Sequence, residues 1–279
     1  MGDCMSDSTI QVDKIQKNTG SVLTIVNPVI QGYLGLSIGK TASYTITNTD
    51  NYSRIACDTT SGDITITLPI KGNNIGRRIE IANVKGGTNK VIISPNATDA
   101  NKLSNDGINV IWIPKIGDYV VFQEDSTSGF WEIVSERITS QLRLYTHAGY
   151  GGTDTKIPRW TNLLESNGNF FTENHSTGYS SNAKGLEVTI QRSGIWSFTW
   201  SGYYFNDYAG FTLNSAQLTT GIVNCAETDI LSFDYAVHDG FGVPWTGYLK
   251  KGDIFRPHTN SANAPGGGSR SVFTASYLG

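Results

Sequence analysis

Short runs in which apolar and polar residues alternate recur along the chain, and this period of two predicts β-strands. In residues 63–69, Ile64, Ile66 and Leu68 fall on one face of such a run, and threonines fall on the other. Pro69 lacks an N–H group and is expected to end this strand. Comparable runs follow at intervals of roughly ten residues with turn residues between them, which predicts an antiparallel all-β protein.

The same pattern divides the chain into three parts. Residues 1–40 alternate weakly and contain several glycines, so we expect an arm that pairs with a neighbour or a docking partner. Residues 41–137 are expected to form a small antiparallel β module, built as a sandwich or a barrel. Residues 138–279 contain about eight predicted strands, which suits a two-sheet jelly roll.

The strongest core signal lies in the predicted strand at residues 194–201, where three aromatic residues share one face and serines and threonines share the other. Each such ring buries roughly 150–250 Å². We expect five aromatic residues to lie in the core of this domain or at contacts between subunits: Trp196, Phe198, Trp200, Phe273 and Tyr277. The chain has 13 Tyr, 11 Phe and 6 Trp. These residues either fill two cores or also line a subunit interface, and both alternatives stay open.

Composition narrows the class of partner. Only 16% of the residues are charged and the formal net charge is −3, so no field of one sign favours nucleic acid or an anionic membrane. No run approaches the roughly 18 apolar residues of a membrane helix. The first residues lack the basic and apolar segments of a secretory signal. We therefore expect synthesis in a cytoplasm and no membrane insertion.

The side chains that carry most enzyme chemistry show no catalytic spacing. Three pairs of carboxylates lie in polar, turn-like sequence: Glu124 with Asp125, Glu227 with Asp229, and Asp234 with Asp239. Glycoside hydrolysis needs one carboxyl group with a raised pKa, and solvated turn acids are the simpler interpretation of these pairs. Neither the histidines nor the cysteines are spaced as metal ligands: His147, His175, His238, His258, Cys4, Cys57 and Cys225. We expect no enzyme.

Several segments of the first module resemble known proteins. Residues 66–69 read ITLP, residues 79–83 read IEIAN, Gly117 precedes Asp118, and residues 129–133 read GFWEI. Their order is similar to that in the β modules of phage tail fibres.

The second domain carries a more specific resemblance. Residues 194–200 read GIWSFTW, residues 248–255 read YLKKGDIF, and residues 271–278 read SVFTASYL. Together these segments resemble the C1q/TNF-like jelly-roll heads of phage tail and head fibre proteins. The collagen stalk of animal C1q proteins is absent from the sequence, which makes an animal extracellular role doubtful.

The resemblance implies a homotrimeric virion protein that is made in the host cytoplasm. Such a phage tail fibre or receptor-binding appendage would adhere to a host surface glycan or protein, while its N-terminal arm would bind other virion proteins. A capsid head fibre or decoration protein and a polysaccharide-degrading tailspike are the alternatives. We expect no cofactor, although some heads of this family hold calcium near the apex, which makes Glu227, Asp229 and Asp239 candidate ligands.

Two predicted loops mix aromatic and small polar residues, as sugar-recognition sites do. The candidate receptor-binding residues are Asn206, Asp207, Tyr208, His238, Asp239, Phe241 and Trp245. Loops on a rigid sandwich commonly carry binding residues. The alternative is that these aromatic side chains tuck beneath their own loops.

Overall fold

The computed structural model of the protein describes residues 36–72, 75–98, 103, 108–124, 131–178, 180–202, 207–236, 240–260 and 271–279. Gly35–Gly279 form one compact unit. Most of the arm expected at residues 1–40 lies outside the described residues. Its last five residues, Leu36–Lys40, form a strand of the first module. None of the described residues forms a helix long and apolar enough to cross a membrane.

The described residues of the first module form nine strands. In chain order they are β1 Leu36–Lys40, β2 Tyr44–Thr45, β3 Tyr52–Asp58, β4 Ile64–Thr67, β5 Arg78–Lys85, β6 Val91–Ser94, β7 Ile111–Ile113, β8 Tyr119–Glu124 and β9 Trp131–Arg137. One sheet has the order β1-β3-β5-β8-β9, and the other has the order β2-β4-β6-β7.

The pairing inside this module differs from the antiparallel arrangement expected for residues 41–137. The strands β1, β3 and β5 run parallel to one another, and so do β2, β4 and β6. From β1 to β6, successive strands enter opposite sheets, so the next strand of the same sheet arrives by a crossover and not by a hairpin. The pairs β5–β8, β8–β9 and β6–β7 are antiparallel, as expected.

The apolar faces of these strands meet between the two sheets. Ile64, Ile66 and Leu68 are at most 1% exposed, which confirms the face assigned to them by the period of two. Ile79 and Ile81 of β5 are fully buried from the other sheet. The module therefore has its own two-layer apolar core.

The described residues of the head form ten strands, where about eight were expected. In chain order they are β10 Gln141–Tyr150, β11 Pro158–Asn167, β12 Phe171–Asn174, β13 Glu187–Ile190, β14 Gly194–Gly202, β15 Asp207–Leu213, β16 Ile230–Ala236, β17 Phe241–Leu249, β18 Ile254–Thr259 and β19 Val272–Tyr277. They form a first sheet of order β11-β10-β19-β14-β17 and a second sheet of order β12-β13-β18-β15-β16.

All described pairs in both sheets are antiparallel. Strands that are distant in sequence lie side by side, as β10, β19 and β14 do. Two five-stranded antiparallel sheets connected in this way form a jelly roll. The expected fold class, all-β with a C-terminal jelly roll, is confirmed.

Candidate functional site

One end of the head holds the first module. Glu136 of β9 accepts hydrogen bonds from Arg192 at 2.6 Å and from the Tyr277 hydroxyl at 3.0 Å. The Arg192 and Glu136 side chains are only 9% and 13% exposed, and the guanidinium lies 4.6 Å from the centre of the Phe170 ring. A buried and multiply bonded ion pair therefore joins the module to the head.

The opposite end of the head is the distal end, which we define by Gly202, Asp207, Ala236 and Phe241. Gly202 ends β14 opposite Phe241, the first residue of β17, and Asp207 begins β15 opposite Ala236, the last residue of β16. At the other end of β14, Gly194 lies close in sequence to the Arg192 junction and pairs with β17 there. The distal end therefore faces away from the module.

Three aromatic residues near the distal end form an aromatic strip, which comprises Tyr208, Phe233 and Tyr235. The Tyr208 ring meets the Tyr235 ring at 5.0 Å and the Phe233 ring at 5.9 Å, in edge-to-face arrangements. Phe233 and Tyr235 are each 46% exposed. The strip is thus a contiguous aromatic surface open to solvent on the described part of the chain.

Strand alternation places the strip on the outer face of the second sheet. Along β15, Ala209 and Phe211 are fully buried, so Tyr208 and Gly210 point the other way. Tyr208 pairs with Tyr235, and Gly210 pairs with Phe233. A Cβ at Gly210 would lie 2.5 Å from the Cβ of Phe233, so glycine provides the room for that ring.

Four of the candidate binding residues lie on strands and not on loops, which corrects that expectation. Asp207 and Tyr208 begin β15 at the distal end. Phe241 packs edge-on against Trp200 at 5.2 Å, and Trp245 lies 5.9 Å from Phe198, both on the core side of β17. These last two side chains are therefore covered by the core of the sandwich and not by loops of their own. The three remaining candidates lie outside the described residues: Asn206, His238 and Asp239.

The five aromatic residues assigned to the core or to subunit contacts all lie between the two sheets of a single protomer. Their exposed fractions are 0% for Trp196, 0% for Phe198, 1% for Trp200, 0% for Phe273 and 9% for Tyr277. Any contact between subunits must then use other side chains.

Sequence reasoning missed Phe233 and Tyr235 as surface residues. The available signal was their i, i+2 spacing, which puts the two rings on one face while Ser232 and Asp234 occupy the other. Alternation predicts that the two rings share a face of the strand, but it does not predict whether that face is buried or exposed.

The outer face of the first sheet has a different character. Ile195 and Tyr248 are cross-strand partners on β14 and β17, and they are 39% and 60% exposed. Beside them the Thr246 hydroxyl donates to the Ser197 hydroxyl at 3.1 Å. A flat surface with small hydroxyl groups and a large exposed aromatic residue suits contact with another protein.

A buried polar cluster lies on the second sheet. His258 is fully buried, its Nε2 lies 2.8 Å from the Thr220 carbonyl, and its Nδ1 lies 3.2 Å from the Thr212 hydroxyl. Burial lowers the pKa of His258, so the ring is neutral, with Nε2–H as donor and Nδ1 as acceptor. The Cys225 sulfur is 3.8 Å from Nε2, and burial raises the pKa of this thiol. Both pKa shifts favour the uncharged forms of the imidazole and the thiol. The cluster therefore has a structural role.

The carboxylates and remaining histidines do not gather into a site among the described residues. Glu124 is buried and accepts a hydrogen bond from the Gly72 backbone, while its expected partner Asp125 lies outside the described residues. Glu227 and Asp229 share a single 3-10 turn.

His175 bonds Glu173 at 2.9 Å and lowers the pKa of that carboxyl. No group of three or more potential metal ligands occurs in the described ranges.

No protein-family model matches the sequence, and no curated protein matches it. Among solved structures, the globular domain of zebrafish complement 1qA is 12% identical with a TM-score of 0.32, and the match covers 50% of this chain and 98% of that one. The PRD1 vertex protein P5 is 14% identical with a TM-score of 0.31, covering 51% and 99%. Murine APRIL is 15% identical with a TM-score of 0.30, covering 50% and 99%. Similarity at these identities and TM-scores supports no inference about a ligand, a partner or an activity of this chain.

Proposed function

We propose that this chain is a non-enzymatic structural and adhesive protein of a bacteriophage particle, acting as a tail fibre or receptor-binding appendage. Three copies associate through their heads, and the N-terminal part attaches to other virion proteins. The distal end contacts a glycan or protein on the host surface. The observation that carries this proposal is that the two ends of the head differ. The module lies at one end, and the exposed aromatic strip lies near the other.

The junction supports this role because an appendage must hold its binding end in a fixed direction. The Arg192–Glu136 pair is nearly buried, and the Lys115–Glu165 pair adds a second link at 2.6 Å between module and head. Bending at the joint would separate the two charges and leave each of them buried without its partner. The free-energy cost of such an uncompensated charge opposes bending. The buried pair therefore favours one fixed orientation of the module against the head.

The outer face of the first sheet supports self-association. Tyr248, Ile195 and the surrounding hydroxyl side chains offer a flat surface, and tyrosine is enriched at the centres of protein interfaces. A threefold arrangement places three distal ends on one assembly. Weak individual contacts held together in this way gain avidity of roughly 10²–10⁴-fold.

The location is tested by labelling intact phage particles with an antibody raised against the head. Label on tail appendages supports the proposal, whereas label on the capsid surface identifies a head fibre or decoration protein. Native mass spectrometry of the purified chain should give a mass near three times 30.3 kDa. A stable monomer contradicts the trimer.

Adhesion and catalysis are separated by a second experiment. Fluorescently labelled protein is incubated with a panel of bacterial strains, and the supernatant is analysed for released saccharides. Retention on cells without released oligosaccharides supports adhesion. Released oligosaccharides identify a polysaccharide-degrading tailspike, and failure to bind the strain on which the phage grows rejects the receptor-binding role.

A further inference from the structure

We propose that the aromatic strip, Tyr208, Phe233 and Tyr235, is a stacking surface for uncharged pyranose rings of a host glycan. This inference rests on the adhesive function proposed above and names the ligand class and the residues that bind it. An aromatic ring presents a flat apolar face, and one face of a pyranose presents C–H groups that pack against it. Two such rings in one strip hold neighbouring sugar units of one chain.

The two exposed rings have a fixed spacing. Phe233 and Tyr235 are two residues apart on β16, so their attachment points are separated by about 6.5–7 Å along the strand. Tyr208 stands edge-on to both rings, at 64° to Phe233 and 72° to Tyr235. Tyr208, which lies on the same outer face, therefore supports both exposed rings.

The strip is held in place before any ligand arrives. The Phe233 side chain rests over Gly210, where a Cβ would also lie 2.2 Å from the Ser232 carbonyl oxygen. The Tyr208 carbonyl is itself fixed by the Asn260 N–H at 3.0 Å. Rings that are already ordered lose little conformational entropy on binding, which favours a small ligand.

The size of the strip argues against a protein partner. At 46% exposure each, Phe233 and Tyr235 offer roughly 70–115 Å² apiece when an aromatic side chain has roughly 150–250 Å². A stable protein interface buries about 800 Å² on each partner. The strip is several times too small for such an interface, but it suits the face of one or two sugar rings.

The charges near the strip favour an uncharged sugar. Asp207 precedes Tyr208, and Asp234 lies between Phe233 and Tyr235, so strand alternation points both carboxylates to the opposite face of the sheet from the strip. Neither forms an ion pair with another described residue. At this short range the two carboxylates still make the potential at the strip negative, which disfavours acidic sugars. In water this effect is modest, about 1 kcal/mol or less for a pair of charges at 4 Å.

The test separates a flat ring from a merely apolar side chain. Phe233→Leu keeps an apolar side chain but removes the planar ring, whereas Phe233→Tyr keeps the ring. The full-length wild type and both variants are applied to an array of neutral and acidic bacterial surface oligosaccharides. Matching melting temperatures and native masses establish that the variants are folded and assembled as the wild type is.

We expect wild type and Phe233→Tyr to bind the same neutral oligosaccharides within about twofold. Phe233→Leu loses one stacking contact, which should lower the affinity of a single site by about 3–10-fold. Because a trimer carries three such sites, its apparent affinity for the array should fall by roughly 100-fold. Equal binding by Phe233→Leu overturns the proposal, and so does binding restricted to acidic sugars.

A cell assay distinguishes failure of this inference from failure of the adhesive function. Cells are treated with periodate, which cleaves sugar diols, or with proteinase K before the labelled protein is added. Loss of binding after periodate supports the glycan. Loss after proteinase K alone overturns the glycan assignment but leaves adhesion intact, whereas absence of wild-type binding to untreated cells rejects both.

Discussion

Phe198 and Phe255 stack face to face across the two sheets of the head, with ring centres 3.5 Å apart and planes inclined by 14°. Phe198 belongs to β14 of the first sheet and Phe255 to β18 of the second, and both are fully buried. Phe211 packs on Phe255 at 4.8 Å, and Phe273 lies 6.2 Å from Phe198. The stack therefore joins the two layers at the centre of the jelly roll.

Truncation of this stack should destabilise the head strongly. Phe255→Ala removes a buried ring and leaves a cavity, which typically lowers the free energy of unfolding by about 3–5 kcal/mol. The measurement is chemical denaturation at one fixed protein concentration, because self-association also contributes to stability. Phe233→Ala is the control, since that ring is half-exposed. Equal unfolding midpoints for the two variants would contradict the central role of the stack.

The buried faces were predictable because they depend on local alternation. Trp196, Phe198 and Trp200 follow a period of two, and the structure buries all three. The same holds for Ile64 and Ile66 in the first module. A strand that carries one strongly apolar face has only one stable orientation against a core.

Strand partners were not predictable, because pairing is a long-range property. Tyr44 lies beside Ile66, and Ile66 lies beside Ile93, in parallel register. Regular strand spacing is equally compatible with a hairpin and with a crossover to an opposite sheet. The antiparallel pairing expected in residues 41–137 was therefore wrong for the pairs β2–β4, β3–β5 and β4–β6.

The loop predicted at β17 was wrong for a different reason. The mixture of aromatic and small polar residues around Phe241 and Trp245 predicted a loop, yet these residues form a strand. Because β17 is the edge of the first sheet, Pro244 can pair with Thr199 on one side without requiring an N–H donor on the other. An edge position cannot be read from the sequence of a single strand.

Removal of Glu136 should loosen the junction between module and head. Glu136→Ala leaves Arg192 without its carboxylate and Tyr277 without its acceptor. Loss of one partner from a buried pair typically costs about 3–5 kcal/mol. We expect faster limited proteolysis near residues 137–140 and faster amide exchange at the junction.

Arg54→Ala provides the matched control for the junction. Arg54 pairs with Glu80 at 3.1 Å, but its side chain is 48% exposed, and exposed pairs contribute about 0–1 kcal/mol. This variant should be cleaved as slowly as the wild type. Equal protection of residues 137–140 in Glu136→Ala would show that the ion pair does not hold the joint.

His258 should make the head less stable at mildly acidic pH. Its pKa in the folded chain lies below the ordinary value of 6.5, chiefly because of burial. Between the two pKa values the unfolded chain binds a proton that the folded chain does not, so stability is retained above pH 6.5 and falls as the pH drops below it. The slope can reach about 1.4 kcal/mol per pH unit.

The measurement compares the free energy of unfolding of wild type and His258→Gln between pH 7 and pH 5. The variant starts from a lower stability because it disturbs the bonds to Thr212 and Thr220, but its pH dependence should be flatter. Parallel curves for wild type and His258→Gln would reject this assignment.

Charge introduced on the outer face of the first sheet should prevent self-association. Tyr248→Glu replaces a side chain that is 60% exposed in the protomer, so the fold of the head should survive. In a trimer that uses this face, three uncompensated carboxylates would be buried near one another, and their desolvation strongly opposes assembly. Native mass spectrometry and sedimentation should then show monomers where the wild type forms trimers.

The same variant separates assembly from binding by a single site. Monomeric Tyr248→Glu retains the aromatic strip on the other sheet, so its contact with an isolated oligosaccharide in solution should match that of the wild type. Its retention on a multivalent surface should fall by roughly 10²–10⁴-fold, because avidity is lost. Phe233→Leu should show the opposite pattern, with intact trimers and a weakened single site. If Tyr248→Glu remains trimeric, a different face of the head joins the subunits.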